Sequence, residues 1–277
     1  MTTSPVAPLP AAPVAGPSPA SAAAATSTRA GGLRTVARLT AMDLRLLARE
    51  PGVIVGLVAF PAVTVLILAG VFGSVPDPEF SGVRPSEHYV IGYLGVVMAQ
   101  LGLVTLPAHI ATHRELGVLR RYRASGVSGA ALAASHAAVG TVLGLAGAAI
   151  VLAVGGAVYG VPSPDDPALA AGWLLAGLAC FVAIGLGLGL LMPSSRAANA
   201  IGSLVFIPMF LLGGGGPPRA VMTAPMQAIA DVMPLSHVVG GLRHAWLGAD
   251  SDPHALWWPV AVAVVALAVR STRRRVA

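Results

Sequence analysis

Residues 130–159 read AALAASHAAVGTVLGLAGAAIVLAVGGAVY, with no Asp, Glu, Lys or Arg. At 1.5 Å per residue, a helix of this length reaches about 45 Å, well past a hydrocarbon core of about 30 Å. The apolar residues run continuously, without the two-residue alternation of a barrel strand. Working outward, comparable stretches occur at 52–72, 88–110, 168–192, 198–212 and 256–269, making six expected spans. Gln100 and Pro107 lie inside the second and Pro208 inside the short fifth; the sixth is short as well. Of the 277 residues, 56% are hydrophobic and 10% charged, and the mean hydropathy is +0.79. Soluble domains carry about 25% charged residues. This composition excludes a soluble globular enzyme, a nucleic-acid-binding domain and a disulfide scaffold. The expected fold class is an all-α polytopic membrane protein.

All 17 basic residues are Arg. Without Lys the chain cannot build a phosphate-binding P-loop or a lysine Schiff base. The arginines also orient the spans. Fourteen of the 17 fall before the first span, in the loops after the second and fourth, and in the C-terminal tail. Eight of the eleven acids (Asp77, Glu79, Glu87, Asp165, Asp166, Asp231, Asp250 and Asp252) fall on the other side, with Arg84, Arg219 and Arg243. Loop arginines mark the cytoplasmic side, so both termini are expected in the cytoplasm. Five or seven spans would destroy this segregation. Arg-only usage with abundant Ala, Gly, Val and Pro fits a GC-rich bacterial genome, and the expected location is the bacterial cytoplasmic (inner) membrane.

The chain divides into four parts. Residues 1–30, with six prolines between Pro5 and Pro19, read as a disordered cytoplasmic tail. Residues 31–50 read as an amphipathic interfacial helix, with Arg34, Arg38, Arg45 and Arg49 in one arc and Leu33, Val36, Ala37, Leu44 and Leu47 opposite. Residues 51–270 hold the six spans, and 271–277 form a basic tail suited to anionic lipid.

Residues 113–128, HRELGVLRRYRASGVS, have the highest charge density in the chain and a helical character. Lipid would attract the arginines but not Glu115, so a docking surface for a soluble partner is the better reading. Residues 213–255 open with four glycines and Pro217-Pro218. They continue as two short amphipathic helices, 221–232 and 235–247, divided by Met233-Pro234. An outer re-entrant hairpin is expected, buried in protein or lining a cavity. Glycine pairs at 52/56, 140/144 and 185/189 permit close helix approach.

No catalytic set emerges. His109 and His113 share a helix face, but the zincin pattern needs Glu where Ile110 stands. Apart from Glu115 no neighbouring ligand is visible, so no metal is expected. Gly126-Val127-Ser128-Gly129 matches the GxSG spacing of intramembrane proteases, yet His237 and His244 lie across the bilayer from Ser128. The single cysteine, Cys180, reads as a small apolar filler. The spans contain no mid-membrane carboxylate of the kind that ion-coupled carriers use.

Three segments in order resemble one family. They are Arg114-Glu115-Leu116-Gly117 with Leu119, Arg120 and Ser125-Gly126; residues 199–213, NAIGSLVFIPMFLLG; and Pro217-Pro218, Met222, Pro225, Met233-Pro234-Leu235, His237, Leu242 and Arg243. With the expected layout of spans, these resemble a type-2 ABC-exporter permease, nearest the daunorubicin-resistance-like drug-export permeases. Leu212 departs from the Ser common there, and the four-glycine run is unusual.

The resemblance implies a permease subunit without its own ATPase. It would pair with a second permease copy, either a homodimer or a paralogue, and with two ABC ATPase subunits that hold ATP and magnesium. It implies an ATPase-coupling segment at Arg114, Glu115, Gly117, Leu119, Arg120, Arg121 and Tyr122, braced by the Arg34–Arg49 helix. It also implies a substrate path along Gln100, Asn199, Ser203, Phe206 and Phe210, and an outer gate at Gly213, Pro217, Pro218, Met233 and Pro234. The cargo would be a drug-like or lipid-like amphipathic small molecule. The competing readings are a polytopic membrane enzyme and a regulatory membrane subunit without transport.

Overall fold

The computed structural model describes residues 19–50, 52, 55–80 and 82–248, and every regular element among them is helical. The expected sixth span, the basic tail, residues 1–18 and the expected break at Pro51 lie outside the described residues. Helix α1 spans Pro19–Leu47. It starts twelve residues ahead of the expected boundary at Gly31. Proline is tolerated in a first turn, and the residues that follow Pro19 are Ala, Ser and Thr with no further proline. The prolines that argue for a disordered tail therefore precede or begin this helix rather than interrupt it.

A π-helical turn, Val55–Ala59, leads into α2, Phe60–Phe72. Next comes one long rod: α3, Pro85–Gln100, a second π turn, Leu101–Thr105, and α4, Leu106–Glu115. A short helix α5, Val118–Ala124, turns into α6, Gly129–Tyr159. Then come α7, Pro167–Leu191, α8, Ser195–Leu212, α9, Ala224–Asp231, and α10, Pro234–Leu247. Among the described residues, four helical stretches are long and apolar enough to cross a membrane: the rod, α6, α7 and α8. They correspond to the second to fifth expected spans. The apolar helix at the first expected span, α2, is shorter.

The rod is the axis of the bundle. It packs on α2, α6, α7, α8 and α10, and from Val90 to Met98 its large side chains are fully buried. Lipid tails are as apolar as leucine, so close backbone contact rather than water exclusion holds such a bundle together. Glycines on the neighbours make that contact possible. A side chain on Gly144 or Gly177 would strike Leu101 or Met98 of the rod, and one on Gly189 would strike Ile110.

Both π turns end two residues before a proline, Pro61 and Pro107. Proline has no N–H. After the second turn, the carbonyls of Gly102 and Leu103 therefore lose their i+5 and i+4 donors at Pro107. Each faces the Cα of a glycine instead: Gly185, where a Cβ would lie 2.8 Å from the Gly102 oxygen, and Gly202, where a Cβ would collide with the Leu103 carbonyl. Weak Cα–H donation is what remains at such a contact. In the first turn Pro61 withholds the donor from Gly56, and Gln100 Nε2 donates to that carbonyl at 2.6 Å.

The bundle has two chemically distinct ends. At one, Arg34, Arg38, Arg45, Arg49, Arg114, Arg120, Arg121, Arg123 and Arg196 are all exposed. At the other, α10 runs between α3 and α7. There Trp246 Nε1 donates to Pro162 O at 2.8 Å, and the amide of Asp166 to Ala245 O at 3.0 Å.

Three substitutions test this packing. Gly202→Leu should destabilise the detergent-solubilised protein by about 1–3 kcal/mol through overpacking, whereas Gly156→Leu, which meets open space, should not. Gln100→Leu should cost about 0.6–2 kcal/mol. Thermal unfolding followed by circular dichroism reads all three; equal melting temperatures for the two glycine variants would refute the contact.

Candidate functional site

The basic end is built from the end of the rod outward. Arg114 and Glu115 are adjacent but grip different helices. Arg114 Nη1 donates to the carbonyls of Gly189, Leu190 and Met192 at 3.2, 2.9 and 2.8 Å, closing the C-terminus of α7. Glu115 accepts from the Ser195 amide at 3.1 Å and from its hydroxyl at 2.7 Å, at the N-terminus of α8. Each charge sits where the helix dipole favours it, a cation at a C-terminus and an anion at an N-terminus. Ser194 Oγ completes the cap by accepting from the Ala197 amide. Both charges, expected to face a partner, are thus occupied within the chain. Pro193-Ser194-Ser195, a stop followed by an N-cap, marks these helix ends in the sequence but not the residues that meet them.

Gly117 takes a left-handed conformation (φ 69°) and starts α5. Helix α5 presents Arg120, Arg121 and Arg123 outward, and none of the three makes a side-chain bond to a described residue. Leu119 and Tyr122 are half-buried, with Tyr122 Oη 4.0 Å from Met42 Sδ of α1. Burial, then the charge of Asp43, holds the Tyr122 phenol above its usual range.

Helix α1 packs along α6. Its inner face differs from the expected one. Arg34, Arg38, Arg45 and Arg49 are exposed, but so are Leu33 and Ala37, and the most buried residues are Leu47 and Asp43. Asp43 meets three imidazoles. His109 and His113 come from α4 and His136 from α6, with ring centroids 4.2 to 5.8 Å apart. His136 Nδ1 lies 3.8 Å from Asp43 Oδ2. Burial pushes the Asp43 carboxyl up, and the charge of His113 acts the other way. The sequence offers no third ligand for the His109/His113 pair; the fold supplies two, from helices distant in the chain.

A cavity of about 660 Å³ opens beside this cluster, between α1, the first π turn, the rod and α8. Gln100 and Asn199 line it together. Ser203 Oγ lies 3.4 Å from Asn199 Oδ1. Phe206 and Phe210 do not line it. They stack at 5.8 Å and close on Phe60 and Tyr93, at 5.9 to 6.4 Å, in an aromatic layer.

A second cavity, of about 500 Å³, lies at the other end. Gly213, Pro217 and Pro218 line it; Met233 and Pro234 form the break between α9 and α10 instead. Every glycine of the 213–216 run is too crowded for a side chain, and Gly214 also has φ 121°. The carbonyls of the run are held from inside the bundle. Arg243 Nη2 donates to Gly214 O at 2.9 Å and Tyr93 Oη to Gly215 O at 3.2 Å. Arg219 and Asp231 form a two-pronged ion pair that ties the 3-10 turn Arg219–Val221 to the end of α9.

The family described as ABC-2 type transporter matches residues 35–247, more than three quarters of the chain. Against individually curated proteins the chain finds no match. The matched stretch runs from α1 through α10 and takes in both cavities and the arginine-bearing end. The chain belongs to the ABC-2 type transporter family, as a membrane-embedded, multi-pass permease subunit of an ABC transporter.

Proposed function

We propose that this chain is the membrane subunit of an ATP-driven exporter that moves a drug-like or lipid-like amphipathic compound out of a bacterial cell. Hydrolysis belongs to a separate ABC ATPase, which carries ATP and magnesium. Two permease copies and two ATPases make the working unit. The basic end faces the cytoplasm, with both termini on that side and a sixth span read from the sequence at 256–269.

The observation that carries this reading is α5. It is a short helix at the basic end whose three arginines project outward without a partner among the described residues. A surface of this kind fits an acidic groove on a soluble subunit. Arg114 and Glu115 contribute by fixing the frame from which α5 projects, and Gly117 by turning the chain into it. Helix α1, in contact with Tyr122 through Met42, braces α5 from the side.

The path runs along α8. Its exposed face carries Leu204, 72% exposed, and Ile207, 54% exposed, and far less of α8 than of the rod is buried. That face suits a boundary with a second copy. Asn199 and Gln100 sit at the cytoplasmic mouth, and the hairpin of α9 and α10 forms the external gate. ATP-driven closure of the ATPases shifts the pair between inward and outward access.

Purification in mild detergent from native membranes tests the reading. The tagged chain should retain a P-loop ATPase in equal amount. Arg120→Glu/Arg121→Glu should abolish both co-purification and export while leaving membrane insertion and melting temperature unchanged. Glu115→Ala should instead lower the melting temperature, since it uncaps α8. A clean chain without any ATPase after cross-linking would sink the proposal and favour a membrane enzyme or a regulatory subunit.

A further inference from the structure

The cluster of Asp43, His109, His113 and His136 flanks the cavity at the mouth of the proposed path and includes none of the proposed path or coupling residues. One potential ligand atom from each of the four residues lies within 4.8 Å of all the others. Asp43 and His136 are each 4% exposed. His109 Nε2, His113 Nδ1 and both ring nitrogens of His136 are buried without a hydrogen-bond partner among the described residues. Three imidazoles placed together with unpaired nitrogens and one carboxylate make a costly arrangement in an apolar bundle. The same arrangement is what a cation with nitrogen-seeking chemistry requires.

We infer that these four residues bind one divalent transition-metal ion, with zinc the ion that suits them. Three nitrogen donors disfavour calcium and magnesium, which take oxygen ligands. The set contains no thiolate, which disfavours copper(I). Four protein donors match the tetrahedral preference of zinc. With bonds of about 2.0–2.1 Å, the ligand atoms of a tetrahedral site stand about 3.3 Å apart. Small side-chain rotations close the remaining gap. The His109/His113 spacing puts two donors on one helix face, so half of the site is set by a single helix. Asp43 offsets one of the two charges of the ion. The ion also has a way in, because Asp43, His109 and His113 all line the cavity of about 660 Å³.

Bound there, the metal joins three helices that the chain connects only through other helices: α1 and α4 through α2 and α3, and α4 and α6 through α5. Asp43 belongs to α1, His109 and His113 to α4, and His136 to α6. The ion therefore clamps α1 to the bundle next to α5. This inference stands whether or not the chain exports anything.

The test uses the full chain, purified in detergent with a histidine-free tag, stripped with a chelator and then titrated with zinc chloride. One Zn2+ per chain is expected by calorimetry and by elemental analysis. Even outer-shell partners contribute about 10–100-fold to metal affinity. His109→Ala, His136→Ala and the conservative Asp43→Asn should therefore each weaken binding by at least about tenfold. His244→Gln, at the opposite end, should leave zinc affinity unchanged. Cobalt(II) loaded into the native chain should show the intense visible absorption of a tetrahedral site. Hydrogen exchange in residues 36–47 should slow when zinc is added. The assignment is overturned by less than about 0.1 zinc per chain at micromolar free metal, a threshold far below the one-ion site expected of a tetrahedral centre. It is equally overturned by native affinity in the His109, His136 and Asp43 variants.

Discussion

In lipid, every backbone carbonyl must find a donor or a close, compatible neighbour within the protein, because no water is present to take it. Two prolines make this constraint acute. Pro61 and Pro107 each follow a π turn by two residues and leave carbonyls without their helical partners. The placement of other groups follows from these gaps. Gln100 reaches across to Gly56 O, Gly185 brings its Cα against Gly102 O, and Gly202 does the same at Leu103. Because the rod carries one of these breaks at its centre, α7 and α8 must approach it there with glycine and nothing larger. The central position of the rod, and the tightness of the bundle around it, depend on that answer.

The broad plan of the molecule is legible in the sequence because it rests on local properties. Uninterrupted apolar stretches mark the helices that correspond to the second to fifth expected spans. The segregation of arginine from acid marks two unlike ends. What the sequence hides depends on partners far away in the chain. Arg114 reads as a free surface charge, since nothing nearby announces that Gly189, Leu190 and Met192 will present their carbonyls to it. Asp43 reads as one acid in an arginine-rich helix, yet it is buried against His136, more than ninety residues away. The start of α1 differs from expectation for another reason. Proline acts on the helix locally, and the prolines of the tail end at Pro19, while Ala22–Ala25 and their neighbours hold none.

The candidate path residues separate into two groups for a physical reason. Asn199 and Gln100 meet at a cavity, with Gln100 Nε2 given to Gly56 O and Asn199 Oδ1 beside Ser203 Oγ. Phe206 and Phe210 turn toward Phe60 and Tyr93, where aromatic edges and faces complement one another. Along each of three helices the order is the same. A residue lining the cavity beside the histidine cluster comes at one level and an aromatic ring at the next: Gly56 then Phe60, Gln100 then Tyr93, Asn199 then Phe206 and Phe210. On the rod and α8 the order continues to the second cavity, at His88 and Gly213. The aromatic layer is therefore a partition between two chambers within one subunit.

The grip of Arg114 and Glu115 on α7 and α8 has a mechanical consequence. Separating the rod from these helices at the basic end would strip three carbonyls and one helix cap of their partners together. That end of the three helices consequently behaves as a single stiff block. A push delivered to α5 is passed to the whole block as a tilt rather than absorbed as local bending. Bending along the rod is then left to the proline-bearing π turn, where helical hydrogen bonds are missing, which makes that turn the natural fulcrum of the subunit.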